Sequence, residues 1–448
     1  MSGREPSVPW EGLARIAQGR PWQASVWREH GRRVEGREGR AATTEQWRSA
    51  YIAFRIDLGG GRVGFASAPL TRDTDPGEIV ARAVASARAQ DPVPGADLEG
   101  DVGPGAASED ALHIRDPQAA GIRSDHLEAF VRVLEEAARS LDPRVRAVRK
   151  PSAEAAEVFR EIRNHRGQSV AWAETRFGAS LEVAAAQGRA SETGWASVER
   201  RRWSELDPEC LAREAVGRAV ELLGAEGCRH GRFPVVLDAR VAAEILQVLA
   251  PSFLGESHLK GTSLFQGRLG QAVASDRLTV WDDGVLPGGT DTQPVDDEGV
   301  PRTRTRVIGR GVLEALLYDR ATAVRAGARS TGNAAAGPAA PPGPDVTNLY
   351  VQAGPDGTAR DLCRKAWQGL WVREVLGLHT VDPISGDFSV GCSGLWIRGG
   401  EVAHPVTGAA LAGNLLDLLS GVAAVGSDLW FHDGVGAPSL LVESADIS

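Results

Sequence analysis

A chain of 448 residues, 42% apolar and 24% charged, has the makeup of an ordinary globular protein long enough for two or three domains. Its net charge of −9 is spread over interspersed acids and bases, and no basic stripe with interleaved aromatics argues for nucleic acid as a direct partner. Cys210, Cys228, Cys363 and Cys392 form no CxxC, the opening MSGREPSVPWEG lacks a signal-peptide core, and no window approaches eighteen uninterrupted apolar residues, so a cytoplasmic protein with reduced thiols and no membrane span is expected.

Residues 1–20 suggest a tail or a short helix. Alternating runs at 51–58 and 62–67 flank Gly59, Gly60 and Gly61 and predict a β-hairpin. A glycine run cradles phosphate only ahead of a helix N-terminus, and here a strand follows. Asp75 before Pro76 predicts a capped helix with Ile79, Val80, Ala83, Val84 and Ala87 inward. Residues 97–110, acidic and glycine-rich without periodicity, read as a linker.

An amphipathic helix is predicted at 125–141, with Asp125 and Glu128 in a capping-box relation and Leu127, Phe130, Val131 and Leu134 on one stripe. The locally basic residues 139–150 read as a solvated face. Alternating segments at 155–163, 169–177, 180–186 and 193–203 predict an antiparallel meander. Asp207 and Pro208 open a further helix that Gly224 ends.

At 233–237, FPVVL predicts a buried strand; Asp238 then caps a helix whose Val241, Ile245, Val248 and Leu249 face inward as far as Pro251. Residues 334–344, AAAGPAAPPGP, suggest an extended, mobile loop, 409–420 a buried helix, and 439–443 a last strand. The sum is an α+β chain: an N-terminal α+β domain with hairpin and helices at 1–110, a helix–meander–helix domain at 111–230, and a β-rich C-terminal domain at 231–448.

Beyond its cap, the helix after Asp238 offers only Arg240 and Glu244 as ionisable groups. The nine histidines are so dispersed that no two lie within ten residues, which rules out HExxH and leaves only a metal site assembled from distant side chains. Asp282, Asp283, Asp291, Asp296, Asp297 and Glu298 do not fit an EF-hand loop and read as turn caps; a paired-carboxylate hydrolase stays open, because sequence gives no carboxyl separation. Cys392, in a Gly-Cys-Ser-Gly turn leading to a strand, is not a nucleophile elbow. Ser252 and Ser263 flank His258 without a mark of activation, and His432 with Asp433 is an acid–base pair only where geometry allows.

The ordered strings Phe233-Pro-Val-Val-Leu237, Gly261-Thr-Ser-Leu-Phe265, Leu278-Thr-Val-Trp-Asp-Asp-Gly284, Asp296-Asp-Glu-Gly299, Leu317-Tyr-Asp319 and Thr331-Gly-Asn333, with Asn348, resemble the TldD/PmbA metallopeptidase family over residues 40–445. Catalytic, TldD-like members of that family carry a histidine–glutamate–xxx–histidine motif on the helix after the PVVL strand and a cysteine ligand near the C-terminus. The histidine positions fall near Gln247 and Ser252, the glutamate near Val248, and no cysteine follows Cys392.

The resemblance therefore implies the PmbA (TldE-like) subtype, whose C-terminal signature residues 388–415 resemble. It implies no catalytic residue, no metal and no cofactor in this chain. Zinc is then expected in a TldD-like catalytic partner, within a heterodimer or larger heteromer that degrades or processes unfolded or short peptides. Ser263, Phe265, Thr331, Gly332 and Asn333 become expected peptide-binding or interface positions. A stand-alone hydrolase using His432, Asp433 and the acids near Asp296, and a peptide-binding module of a peptide natural-product pathway, are the alternatives.

Overall fold

The computed structural model describes residues 7–103 and 105–448, so the start of the tail read at 1–20 and one residue of the stretch at 97–110 lie outside the described residues. Helix α1 (Trp10–Ile16), strands β1 (Trp22–Arg37), β2 (Arg40–Asp57) and β3 (Val63–Pro69), and helix α2 (Pro76–Ala89) form a first unit. After the single turn α3 (Glu109–Leu112), the same succession returns: α4 (Ser124–Leu141), β4 (Val145–Asn164), β5 (Ser169–Gln187), β6 (Ala190–Arg200) and α5 (Pro208–Glu221). The six strands make one sheet in the order β3-β2-β1-β4-β5-β6, with β1 and β4 antiparallel at its centre. Three strands from each side of residue 110 thus share one hydrogen-bonded ladder.

Both units close alike. Asp75 accepts from the Gly77 N–H at α2, and Asp207 accepts from the Glu209 and Cys210 N–H groups at α5, each with proline in the first turn. Each closing helix lies so close on an edge strand that only glycine fits beneath it. A Cβ on Gly64 would stand 1.9 Å from the Ala83 carbonyl oxygen, and one on Gly194 would stand 2.4 Å from that of Ala215.

Several local expectations change. Helix α4 begins at Ser124, and the Arg123 N–H donates to His126 Nδ1 at 3.2 Å, so Asp125 and Glu128 both fall within the helix and form no capping box. The segments read separately at 169–177 and 180–186 are one strand, β5, because Gly178 and Ala179 continue the ladder to β4 and β6. Residues 97–110 do not stand free as a linker: Leu98 and Val102 are buried, and the Gly103 N–H donates to the Gly299 carbonyl at 2.9 Å.

The C-terminal part runs through β7 (Gly231–Leu237), α6 (Ala239–Leu249), α7 (Gly255–Lys260), β8 (Val280–Asp283), β9 (Arg304–Gly309), β10 (Val312–Leu313) and α8 (Arg320–Ala326). It continues with β11 (Ala334–Ala335), β12 (Gly343–Pro344), β13 (Leu349–Val351), α9 (Ala359–Ala366), β14 (Gln368–Leu376), β15 (Asp387–Arg398) and β16 (Glu401–Asn414). Helix α10 (Leu415–Ser420) and strands β17 (Val422–Val425), β18 (Trp430–His432), β19 (Val435–Ala437) and β20 (Leu440–Ile447) complete it.

One sheet has the order β10-β9-β8-β13-β19-β18; the other has the order β16-β15-β14-β7-β20-β17, and a further β16–β20 pairing closes five of its strands into a ring. Helix α6 packs Val241, Ile245, Leu246 and Leu249 into the large core these sheets share. The helix expected at 409–420 shrinks to α10, because Ala409 and Leu411 alternate inward as part of β16 until Asn414 caps the turn. The loop at 334–344 is not loose at its base: β11 pairs with β12, and the Ala334 and Ala336 N–H groups donate to Asp296 and Asp297.

Candidate functional site

The residues that turn β7 into α6 build the site. Asp238 accepts from the Arg240 N–H at 3.4 Å and pairs with Arg373, which fixes the start of the helix against β14. With one face of α6 committed to the core, the other presents Arg240, Ala243, Glu244, Gln247 and Val248 to two adjoining hollows. The first, about 280 Å³, lies against β6 and α5 and is strongly charged. Its arginines are each met by an acid: Arg218 by Glu214 at 3.2 Å, Arg240 by Glu244 at 3.2 Å and Arg373 by Glu221 at 3.0 Å. The Arg240 guanidinium also lies 3.8 Å above the Trp195 ring. Burial pushes the Glu244 carboxyl above the usual carboxylate range, against the pull of Arg240.

The second hollow, about 460 Å³, is walled by Ala243, Val248, Leu378, Trp430 and Val435, with Glu244, Gln247, His379, His432 and Asp433 supplying the polar part. Strand periodicity explains the wall. Trp430 and His432 share one face of β18 and stack with centroids 5.6 Å apart and planes 11° apart, while Phe431 on the opposite face meets Tyr350 at 5.5 Å. His432 Nε2 stands 3.2 Å from the Asp433 carboxylate, and its Nδ1 is 3.5 Å from Ser197 Oγ on β6. Trp195 completes an aromatic cluster, its ring 6.0 Å from His432.

The two positions nearest the family's metal-binding histidines do not converge. Gln247 is exposed on α6, whereas Ser252 is buried: its hydroxyl accepts from the Leu264 N–H at 3.3 Å and its carbonyl accepts from Ser263 Oγ at 2.8 Å. An amide, the apolar Val248 and a hydroxyl already engaged are not a zinc donor set. Among the described residues, no three His, Cys, Asp or Glu side chains group so as to hold a metal ion. The residues present do not fit zinc.

Ser263 Oγ lies 2.9 Å from His258 Nε2, yet Ser263 is buried, and burial also lowers the His258 pKa. Phe265 is fully buried with its ring 5.3 Å from Phe253. Thr331 Oγ1 donates to Asn333 Oδ1 at 2.7 Å, and Asn333 Nδ2 donates to Asp282 at 2.8 Å, with Gly332 buried between. None of these five lines either hollow; all of them fasten loops.

The acids behave as turn caps. Asp296 accepts from the Glu298, Val300 and Ala334 N–H groups, and Asp282 from that of Thr347. Burial and the neighbouring Glu298 push Asp296 up to about 7. Cys392 is buried on β15 and its thiol is pushed up to about 12, which leaves little thiolate for nucleophilic work. Sequence reasoning passed over Trp195, Leu378, His379 and Trp430. The one signal available was the Trp-x-His alternation ahead of the Asp433-Gly434 turn.

Comparison with known proteins bears directly on this framework. Residues 119–223 match the PmbA/TldA metallopeptidase central domain and residues 230–448 the PmbA/TldA metallopeptidase C-terminal domain. A metalloprotease of Methanothermobacter thermautotrophicus is 32% identical over 279 residues, 61% of this chain and 60% of its own length. The metalloprotease PmbA of Escherichia coli O157:H7 is 27% identical over 286 residues, 64% of this chain and 61% of its own. The match thus spans about three fifths of each relative. The crystal structure of TldE from Thermococcus kodakarensis has the same fold, with a TM-score of 0.88 over 98% of this chain and 100% of that one at 20% identity. With both family domains present in order and together covering most of its length, the chain belongs to the PmbA/TldD metallopeptidase family.

Proposed function

We propose that this chain is the non-catalytic, PmbA (TldE-like) subunit of a heteromeric zinc peptidase acting on unfolded or short peptides in the cytoplasm. A TldD-like partner supplies the zinc and the hydrolytic chemistry. The observation that supports this reading is the α6 face: an exposed amide at Gln247, the apolar Val248 and a buried, hydrogen-bonded Ser252 stand where ligands would be needed. Metal affinity resides in the directly bound donors, and a scaffold without them does not restore it. The rest of the helix is kept in place by its cap, its ion pairs and its core face, as suits a wall that needs shape without metal.

The purified full chain is expected to carry substoichiometric zinc and to cleave no peptide. Mixed with the TldD-like chain of the same genome, it is expected to co-elute on size exclusion and to give chelator-sensitive peptidase activity. One tightly held zinc per isolated chain would overturn the assignment. A stand-alone hydrolase has one observation in its favour, the His432–Asp433 contact at 3.2 Å. Chelator-resistant activity of the isolated chain, lost in His432→Ala, would establish it instead.

A further inference from the structure

Resting on the subunit reading above, we propose that the hollow between α6, β18 and residues 378–379 is a binding pocket of this chain's own, taking one large apolar or aromatic side chain of a peptide. Its volume of about 460 Å³ lies within the range of about 300–1,000 Å³ common to small-ligand sites. Val248, Leu378 and Val435 supply aliphatic walls, and the Trp430–His432 stack supplies a flat one.

Charge complementarity selects the occupant. Of the two acids at the hollow, Glu244 is met by Arg240, and Asp433, 3.2 Å from His432 Nε2, sits at the rim with its side chain 74% exposed to water, so the walls bury no unpaired carboxylate for a cationic guest. An anionic guest fares no better, because Arg240, whose guanidinium lies 5.8 Å from the Trp430 ring, is committed to Glu244, to the Trp195 carbonyl and to the Trp195 ring. An uncharged ring or branched aliphatic chain gains from burial against such walls and displaces no ion pair.

The surroundings suit a peptide as its carrier. Strands β6 and β18 are each the last of their sheet, and Ser197 and Trp195 on the first meet His432 on the second. Among the described residues each of these strands pairs on one side only, so beside the hollow an extended backbone finds donors and acceptors other than the Trp195 carbonyl that Arg240 already holds.

Calorimetry and tryptophan fluorescence on the full chain, titrated with blocked Ala-Phe-Ala, Ala-Ala-Ala and Ala-Glu-Ala, test the proposal. Ala-Phe-Ala is expected to bind saturably and roughly tenfold more tightly than the other two, the difference one aromatic side chain makes when buried. Trp430→Ala, and independently Gln247→Arg at an exposed helix position, should each erase that preference. Trp367→Ala, at the exposed end of α9, should leave it intact. Equal affinity for the three peptides, no binding at all, or a preference that survives both variants with native circular dichroism would overturn the pocket. Absence of binding beside normal zinc-dependent activity of the mixed complex sinks the pocket alone. Zinc on the isolated chain sinks the subunit reading, whatever the titration shows.

Discussion

Asp291 faces Arg176, Arg302 and Arg201 across the junction between the sheet and the C-terminal part, with Glu199 also near, yet burial outweighs the three guanidiniums and pushes its carboxyl up to about 6. An aspartate in an unfolded chain titrates near about 3.9. The folded protein therefore holds this proton over a pH range in which the unfolded chain has already released it. The sign follows from linkage: the contribution of Asp291 is most favourable below about pH 4, declines as pH rises through about 6, and is constant above that. Asp296, raised to about 7, adds to the same slope. Asp291→Asn is accordingly expected to melt closer to the wild type at about pH 4.5 and to gain on it as pH rises, levelling off above about 6. Melting temperatures of both proteins across that range decide the matter. An offset that does not change with pH would mean that Asp291 has the same affinity for its proton folded and unfolded.

The two α-β-β-β-α units show which features of an element were legible. Asp75-Pro76 and Asp207-Pro208 announced α2 and α5 because a cap and a first-turn proline are demands of the helix itself. The 51–67 hairpin, the strand at 233–237 and the Asp238-capped helix were equally plain, since each buries one face with a clear period. Strand β1 was passed over: its second half, REHGRRVEGR, turns so many charged side chains outward that little alternation survives. Ala409-Ala410-Leu411-Ala412 fits helix and strand alike, and only pairing with β15 decides it. The repetition itself stayed hidden because what the two units share is backbone geometry. The second hollow was hidden for another reason: its aromatic surroundings bring together Trp195 and Trp430, far apart in the chain.

Gly194 offers the matching test at the level of the element. Gly194→Ala places a methyl group against the Ala215 carbonyl and the Ala219 N–H, and neither backbone can yield without moving α5 off β6. A loss of about 1–3 kcal/mol is expected, the usual cost of overpacking, read by urea denaturation. Because Trp195 is the next residue, the displaced strand should also weaken the Arg240–Trp195 stack and shift the tryptophan fluorescence. Unchanged stability would show that the helix is free to slide.

At the scale of the whole molecule, the walls of the second hollow belong to α6, β18, β19 and the turn at 378–379 of the C-terminal part, while Trp195 and Ser197 beside it belong to the N-terminal sheet, so the junction between these parts governs its shape. That junction is polar and buried. Arg160 lies between the rings of Trp27 and Trp172, at 4.5 and 5.2 Å, pairs with Asp297 and donates to Gln293 at 3.2 Å. Arg201 donates to the carbonyls of Gly289, Thr290 and Thr175. Glu298 accepts from Gln23 through its carbonyl, and from Arg55 and the Arg320 N–H through its carboxylate. Groups of this kind hold one arrangement firmly, because any slippage strands a charge away from water. Arg160→Met leaves Asp297 buried without its cation, which should cost about 3–5 kcal/mol. Removing the stranded charge as well, in Arg160→Met with Asp297→Asn, should recover part of that loss, so a double-mutant cycle isolates the pair from the packing of the arginine stem. Scanning calorimetry is expected to show the sheet and the C-terminal part melting closer together in the wild type than in Arg160→Met, and the single variant should show blunted fluorescence coupling between Trp195 and His432. Should Arg160→Met melt as the wild type does, the ion pair has no part in joining the two regions, and the apolar contacts of Val102, Ile114, Ile162 and Val295 would have to carry the junction alone.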